Sequence, residues 1–348
     1  MKLCVIVPAK NEGLVLEGTL SSLLTADVSP KDIFVVDDGS SDNTGAIARH
    51  LGVMLLRNET NIGKAQSIAR VVKHFKLTSR YDLIALMDAD TRVDPQYFTA
   101  VKQRFASDEE VAVVCGQAKS SPHNWLTAYR CLVYFLSQFI YKDGQSNMGV
   151  ITVAAGCATT YRSDIFEELE WNNDTLVEDM DSTVQVHRKR LGAIVYEKNA
   201  VVHTQDPKTL RDYIKQMSRW YTGTWQVFKK YRMLTGTKKI DWEYKLLTGE
   251  GLIFSIAYAL LPLLLLVFPK LIFMLIFDIC FTVLMALVVS IVEKRKDVAL
   301  YAPAFLFIRY VDCVVFLYTF WNTVVRRQQA LKWFSVERYH QQIQRSQE

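Results

Sequence analysis

Residues 82–90 read DLIALMDAD, an apolar run closed by two aspartates one residue apart. A short unbroken apolar run that ends in turn-forming residues marks a strand buried on both faces, and it is too short for a buried helix. The same pattern recurs in LCVIVPA from Leu3, DIFVVDD from Asp32, VMLLRN from Val53 and VAVVC from Val111. Between these runs, residues 12–24, 63–75 and 95–105 carry apolar side chains at helical spacing. Strands alternating with helices predict an α/β layer with a largely parallel sheet, and such sheets gather ligands at the carboxyl ends of their strands. Residues able to do chemistry stand at those ends. The first run closes in Pro8-Ala9-Lys10-Asn11-Glu12, the second in Asp37-Asp38-Gly39-Ser40, the fourth in Asp88-Ala89-Asp90, and a later run, TVAAGCATTYR, holds Gly156-Cys157-Ala158.

Acidic strand ends have two readings. They serve as turns and helix caps, and Asp42 in SSDNT reads as only that. Asp88 and Asp90, by contrast, place two hard oxygen ligands in one turn, which suits Mg²⁺ or Mn²⁺ held jointly with substrate phosphates. No GxGxxG or GxxxxGK[ST] loop occurs, so a dinucleotide fold and a P-loop are disfavoured. His203, in VVHTQDP, is a further candidate metal ligand, with a structural histidine as the alternative. In VEDMDSTVQVHRKR, from Val177, three acids precede three bases, the charge order that an ordinary helix adopts against its own dipole. Gln216, Arg219 and Trp220 share one helical face by their i, i+3, i+4 spacing, within a segment rich in aromatics and bases that also suits a membrane interface.

Half of the 348 residues are hydrophobic, and they are unevenly spread. Residues 251–268 carry no charge, and residues 271–292 carry only Asp278. Each run is long enough to cross a bilayer as helix, and with only Pro269-Lys270 between them they predict a membrane hairpin. A third stretch, 298–325, contains Arg309 and Asp312, spaced to pair with each other on one face. The start, MKLCVIVPAKNE, has too short an apolar run for a signal peptide, so the body is expected to stay in the cytoplasm. The bases around the hairpin and the net charge of +5 fit a cytoplasmic body against an anionic leaflet. The six cysteines form no CxxC pair, which indicates neither a zinc ribbon nor a disulfide framework.

Taken in order, these motifs resemble the family-2 glycosyltransferases of GT-A fold, in particular the membrane-bound QxxRW branch that holds polysaccharide synthases and ceramide glucosyltransferases. The likeness runs from residue 1 to about 225. It is carried by VxxPxxNE at 5–12, VDDGSxD at 36–42, NxGKA from Asn61, Asp88-Ala89-Asp90, Glu178-Asp179 and QxxRW at 216–220, with Ser67 a minor departure. The resemblance implies a nucleotide-sugar-binding, Rossmann-like α/β domain over 1–206. It is followed by amphipathic interface helices over 207–246, a transmembrane region over 247–325 (about 251–268, 271–292 and 301–325) and a polar tail over 326–348. By resemblance, Pro8, Glu12, Asp37 and Asp38 lie at the uridine, and Lys64 and Asp88 at the donor's diphosphate. Asp88 and Asp90 hold Mg²⁺ or Mn²⁺. Asp179 is the general base with Glu178 beside it, which leaves Asp181 as a helix-start acid. Gln216, Arg219, Trp220, Gly156, Cys157 and Ala158 line the diphosphate and acceptor region.

The expected reaction is an inverting transfer of a hexose or N-acetylhexosamine from a UDP-sugar to a lipid or glycan acceptor at the membrane. The expected partners include membrane lipids and no nucleic acid. A non-catalytic nucleotide-sugar-binding regulator would lose the base or the metal pair, and Asp88, Asp90 and Asp179 are all present. A transporter would need more spans than the three candidates. Within the enzyme class, so few helices leave open a single-sugar transfer to lipid, or a polymer channel built by a homo-oligomer.

Overall fold

The computed structural model describes residues 1–328 and 336–339. Eight strands, β1 (Leu3–Ala9), β2 (Ile33–Asp37), β3 (Met54–Arg57), β4 (Leu83–Leu86), β5 (Arg92–Val93), β6 (Val111–Ser120), β7 (Thr159–Arg162) and β8 (Ala193–Thr204), form one sheet. Their order is β3-β2-β1-β4-β7-β6-β8-β5. The first four neighbours are parallel, as the sequence predicts, but β7 is antiparallel to both β4 and β6, and β5 is antiparallel to β8. The sheet is therefore mixed. Only the last part of TVAAGCATTYR is strand; Gly156-Cys157-Ala158 forms the turn that leads into it.

Helices cover both faces of this sheet, so its strands read as continuous apolar runs. Alternate side chains serve separate cores: Val5, Val35 and Ala85 pack on one face, and Ile6, Phe34 and Ile84 on the other. The helices of the body are α1 (Leu16–Thr25), α2 (Thr44–His50), α3 (Lys64–Phe75), α4 (Tyr97–Ser107), α5 (Trp125–Leu136), α6 (Asp143–Asn147), α7 (Ser163–Phe166), α8 (Glu178–Lys189) and α9 (Leu210–Lys230). A 10-residue β6 leads into α5, which is capped by Asn124 accepting from the backbone N–H groups of Leu126 and Thr127.

Beyond the body lie α10 (Lys239–Val267), α11 (Ile272–Val292), α12 (Lys296–Leu300) and α13 (Ala302–Phe320). Among the described residues three helices, with α13 extended to Val325, are long and apolar enough to cross a membrane. The first starts at Lys239, well ahead of its apolar run, so the polar segment before Gly251 and the apolar run are one continuous helix. Arg309 does not pair with Asp312. It reaches Asp278 of α11 at 2.6 Å and Thr282 at 2.7 Å, with Tyr258 of α10 hydrogen-bonded to the same carboxylate. Asp312 instead accepts from Tyr129 of α5 at 2.9 Å and Tyr213 of α9 at 2.8 Å. An ionised side chain among apolar helices needs a partner, and each of these finds one on another element. Contacts from Phe305 on Tyr129, through Phe316 and Phe320 on Trp225, to the Thr323 carbonyl on Lys229 lay α13 and its extension along α5 and α9 of the body.

Candidate active site

The parallel order 3-2-1-4 brings the carboxyl ends of β1, β2 and β4 to one edge, and the residues that follow them meet there. After β1 the chain turns through Asn11 at φ 55, a left-handed conformation that asparagine tolerates. Its side-chain oxygen accepts from Ser41 N at 2.9 Å. Asp42 ties the same two loops, accepting from Gly13 N at 2.9 Å and Thr44 N at 3.0 Å. Glu12 is thereby held buried at the mouth of the site.

The two acids after β2 are absorbed by their own surroundings. Asp37 accepts from Ser40 N at 2.8 Å and faces Arg57 at 3.4 Å. Asp38 accepts from Ile62 N and Asn58 Nδ2, both at 2.8 Å, and from Gly63 N at 2.9 Å. These bonds fasten the loop from which α3 starts, and α3 carries Lys64 as its first residue. Gly63 has φ 89 there, with Asn173 where a side chain would stand.

Lys64 sits between two acids, 2.6 Å from Asp88 Oδ1 and 2.6 Å from Glu178 Oε1. Burial opposes its charge, but Asp88, Glu178 and Asp179 outweigh that and hold the ammonium firmly protonated. Burial likewise opposes ionisation of Asp88. Lys64 and then Arg219 and Arg338 overcome it, keeping that carboxylate below the usual range. Asp179 is the second residue of α8. Its oxygens accept from Gly156 N at 3.1 Å and from Met180 N at 2.8 Å. Burial and the adjacent Glu178 charge raise the Asp179 carboxyl, with Lys64 opposing them. Gly156 lies close over this group: a β-carbon there would stand 3.1 Å from Lys64 Nζ and 3.7 Å from Asp179 Cβ. Together these residues form a compact cluster of one ammonium and three carboxylates, with a raised carboxyl at one side and a depressed one at the other.

Asp181 is not a solvated helix-start acid. It is buried, 2.9 Å from Lys230 of α9 and hydrogen-bonded by Gln185 at 2.9 Å, so it joins α8 to α9. On α9, the Gln216 side-chain oxygen is buried with no partner among the described residues. Trp220 packs against Arg130 of α5, whose guanidinium lies 4.6 Å from the indole. Arg130 is itself held by Asp206 at 3.1 Å and Tyr134 at 2.6 Å. This residue escaped sequence reasoning, although a lone charge inside WLTAYRCLVYFL was a signal for it. Pro8 is a β1 residue opposite Val36 of β2. Cys157 and Ala158 lead into β7, and burial raises the Cys157 thiol. His203 pairs in register with Arg92 of β5, and its ring nitrogen meets Asp94 at 3.0 Å. The structure thus seats His203 with Asp94.

A divalent cation fits the chemistry of the Asp88–Asp90 pair. Each carboxylate already carries a cationic partner, Lys64 on Asp88 and Arg338 on Asp90. No group of three or more His, Cys, Asp or Glu suited to a metal occurs among the described residues. Two carboxylates leave most of a cation's coordination to substrate oxygens and water, as Mg²⁺ and Mn²⁺ sites on phosphates do. Arg338 was also missed from sequence. Its tetrapeptide, Val336–Tyr339, lies in what read as a polar tail; the rest of that tail beyond Gln328 lies outside the described residues.

Comparison with known proteins accords with this geometry. The family profile described as Glycosyl transferase family 2 matches residues 4–170. A poly-beta-1,6-N-acetyl-D-glucosamine synthase of Staphylococcus aureus (strain COL) is 27% identical over 223 residues, 62% of this chain and 53% of that protein. The synthase of Staphylococcus epidermidis is 26% identical over the same share. The chain therefore spans about half the length of these relatives. Among solved structures, the mannosyltransferase PcManGT from Pyrobaculum calidifontis, in complex with GDP-Man and Mn²⁺, has a similar fold. The TM-score is 0.62 at 18% identity, over 91% of this chain and 87% of that one.

Proposed function

We propose that the protein, whose residues 4–170 match the family-2 glycosyltransferase profile and whose fold resembles a GT-A enzyme, performs an inverting transfer from a UDP-sugar to a membrane-associated acceptor. The observation that carries this reading is the placement of Asp179. Its raised carboxyl is held by Gly156 N and linked to Asp88 through the Glu178–Lys64 bridge, which supports a base and a leaving-group site within one charged cluster. The acceptor hydroxyl gives its proton to Asp179 while its oxygen bonds to the anomeric carbon on the face opposite the diphosphate. The anomeric carbon–oxygen bond breaks, and its electron pair leaves with the nucleoside diphosphate, inverting the centre.

Asp88 and Asp90 would hold Mg²⁺ or Mn²⁺, which supplies positive charge for the diphosphate when bound. A divalent metal is supported by the Mn²⁺ in the mannosyltransferase of similar fold. Arg219 bears on Asp88 and adds charge to the same region. Glu12, at the end of β1, is placed for the nucleoside; Asp37 and Asp38 shape that side by holding the Ser40 and Gly63 turns. Gln216, whose oxygen has no partner among the described residues, and Trp220, braced by Arg130, form the sugar and acceptor platform of α9.

An N-acetylhexosamine is the sugar best supported, because the relatives are N-acetylglucosamine polymer synthases. The catalytic body lies in the cytoplasm, with the Pro269–Leu271 turn across the membrane, as the bases at the body ends of α10 and α11 favour. The three long apolar helices among the described residues support a second reading, single-sugar transfer to a lipid. A donor panel with the enzyme in lipid decides among these, reading nucleoside diphosphate release, product mass and dependence on added metal. Release from UDP-N-acetylhexosamine that EDTA abolishes is expected. Full turnover in EDTA removes the metal, and a product one sugar heavier than a lipid selects the second reading.

A further inference from the structure

The face of α9 that carries Gln216, Arg219 and Trp220 does not end with them. Gly223, Gln226 and Lys230 continue the same stripe, each three or four residues beyond the last. All three meet the segment that leads into the base. Gln226 Oε1 accepts from Leu176 N at 2.9 Å. Lys230 Nζ lies 2.9 Å from Asp181 and 3.5 Å from Asp174. Gly223 meets Val177, the N-cap residue of α8, which stands directly before Glu178 and Asp179. A β-carbon on Gly223 would stand 2.5 Å from Val177 Cγ1 and 2.6 Å from its Cγ2, well inside van der Waals contact. Val177 is buried and shares its apolar cluster with Trp220. Its side chain fills a notch that a glycine leaves open.

Resting on the reading of Asp179 as the base, we infer that Gly223 is a positioning residue: its notch seats Val177, and α9 thereby sets the separation between the Gln216–Trp220 platform and the base. Valine is stiff at its one side-chain torsion, and the packed cluster around it leaves little room to turn aside. An alanine at 223 therefore displaces the backbone at Val177, or α9 itself, by roughly an ångström, because carbon atoms pack no closer than about 3.5 Å. Either movement changes the distance from platform to base. A misplacement of that size costs a positioned reaction up to about a hundredfold. The nucleoside side is built on the loops after β1 and β2, so nucleotide affinity is left as it is.

The test is made on the full chain in lipid nanodiscs, with the nucleotide-sugar that gives the parent its highest turnover. Single-turnover release of nucleoside diphosphate, affinity for that diphosphate and thermal denaturation are measured for Gly223→Ala, Val177→Ala, the double variant and Asp179→Asn. Gly223→Ala is expected to lower the transfer rate about thirtyfold with nucleotide affinity unchanged. Its melting temperature should hold, because alanine is the better helix former inside a helix. Removal of the two valine methyls makes room again, so the double variant is expected within about threefold of Val177→Ala. Parent-level turnover in Gly223→Ala, a loss shared by nucleotide affinity, or an equal loss in the Val177→Ala background overturns the notch and leaves Asp179 as the base. Near-normal turnover in Asp179→Asn overturns the base and the notch with it. Where Gly223→Ala yields no folded protein, Gln226→Leu takes its place: it removes the acceptor of Leu176 N, and parent-level turnover there overturns the inference.

Discussion

Two groups of acids border the candidate site of this protein, and their surroundings differ in kind. Asp37 and Asp38 spend their oxygens mainly on backbone N–H groups and a neighbouring amide of the loops they shape. Asp88, Asp90 and Glu178 face the ends of long cationic side chains, Lys64 and Arg338. A backbone N–H cannot swing away to admit a ligand, whereas an ammonium or guanidinium on a flexible stem can. The first group is scaffold with a face toward the donor, and the second is prepared for exchange of partners. Asp179 stands between them: it is braced by Gly156 N and Met180 N, yet its carboxyl is raised by burial and Glu178.

This contrast can be broken by substitution. Between the two groups, the larger effect on turnover is expected at Asp90→Asn, which keeps shape but removes a charge that both Arg338 and a metal use. Turnover should fall by at least about a hundredfold with the melting temperature nearly unchanged, read from a single-turnover assay and thermal denaturation. Asp38→Ala should do the reverse in origin: it leaves Ile62 N and Gly63 N without their buried acceptor and costs about 3 kcal/mol of stability in a denaturant titration. Asp181→Asn should cost about 1 kcal/mol, since Lys230 is partly solvated and the amide still meets Gln185. A scaffold acid whose loss spares stability, or an exchange acid whose loss unfolds the protein, would break the division.

The pH profile sharpens it further. A base works only when ionised, and burial places the Asp179 carboxyl above its usual 3.8. Turnover should therefore drop as pH falls through that raised value, on the acid side of the profile. Lys64→Met removes the charge that opposes the rise, so the acid limb should move to higher pH. A limb that stays fixed in this variant would detach Lys64 from the base.

Much of the body was legible because its sheet is buried on both faces, so β1, β2, β3, β4 and β6 wrote themselves as apolar runs, and those of β1, β2 and β4 stopped where the candidate site begins. The acids at those stops were visible for the same reason. The antiparallel β7 was not, since the four residues TTYR after a glycine turn carry no direction. The part played by Asp38 depends on which N–H groups the loop at 61–63 returns to it, which no local pattern encodes. Arg309 was expected to pair along its own helix with Asp312, but the helix packing offered Asp278 to one and two tyrosine hydroxyls to the other. Arg338 lies 326 residues from the Glu12 it touches, in a polar stretch without periodicity, and only the folded chain joins them.

The central claim is that Asp179 takes the acceptor proton, and Asp179→Asn tests it most directly. Asparagine preserves the size of the side chain and its one oxygen still accepts from either Gly156 N or Met180 N, but it cannot accept a proton. Turnover and nucleotide affinity are measured for this variant and the parent in the same membrane preparation. The transfer rate is expected to fall by roughly two to four powers of ten, the usual worth of a general base, with nucleotide affinity unchanged. Near-normal turnover at unchanged affinity would return Asp179 to the role of an acid at the start of a helix.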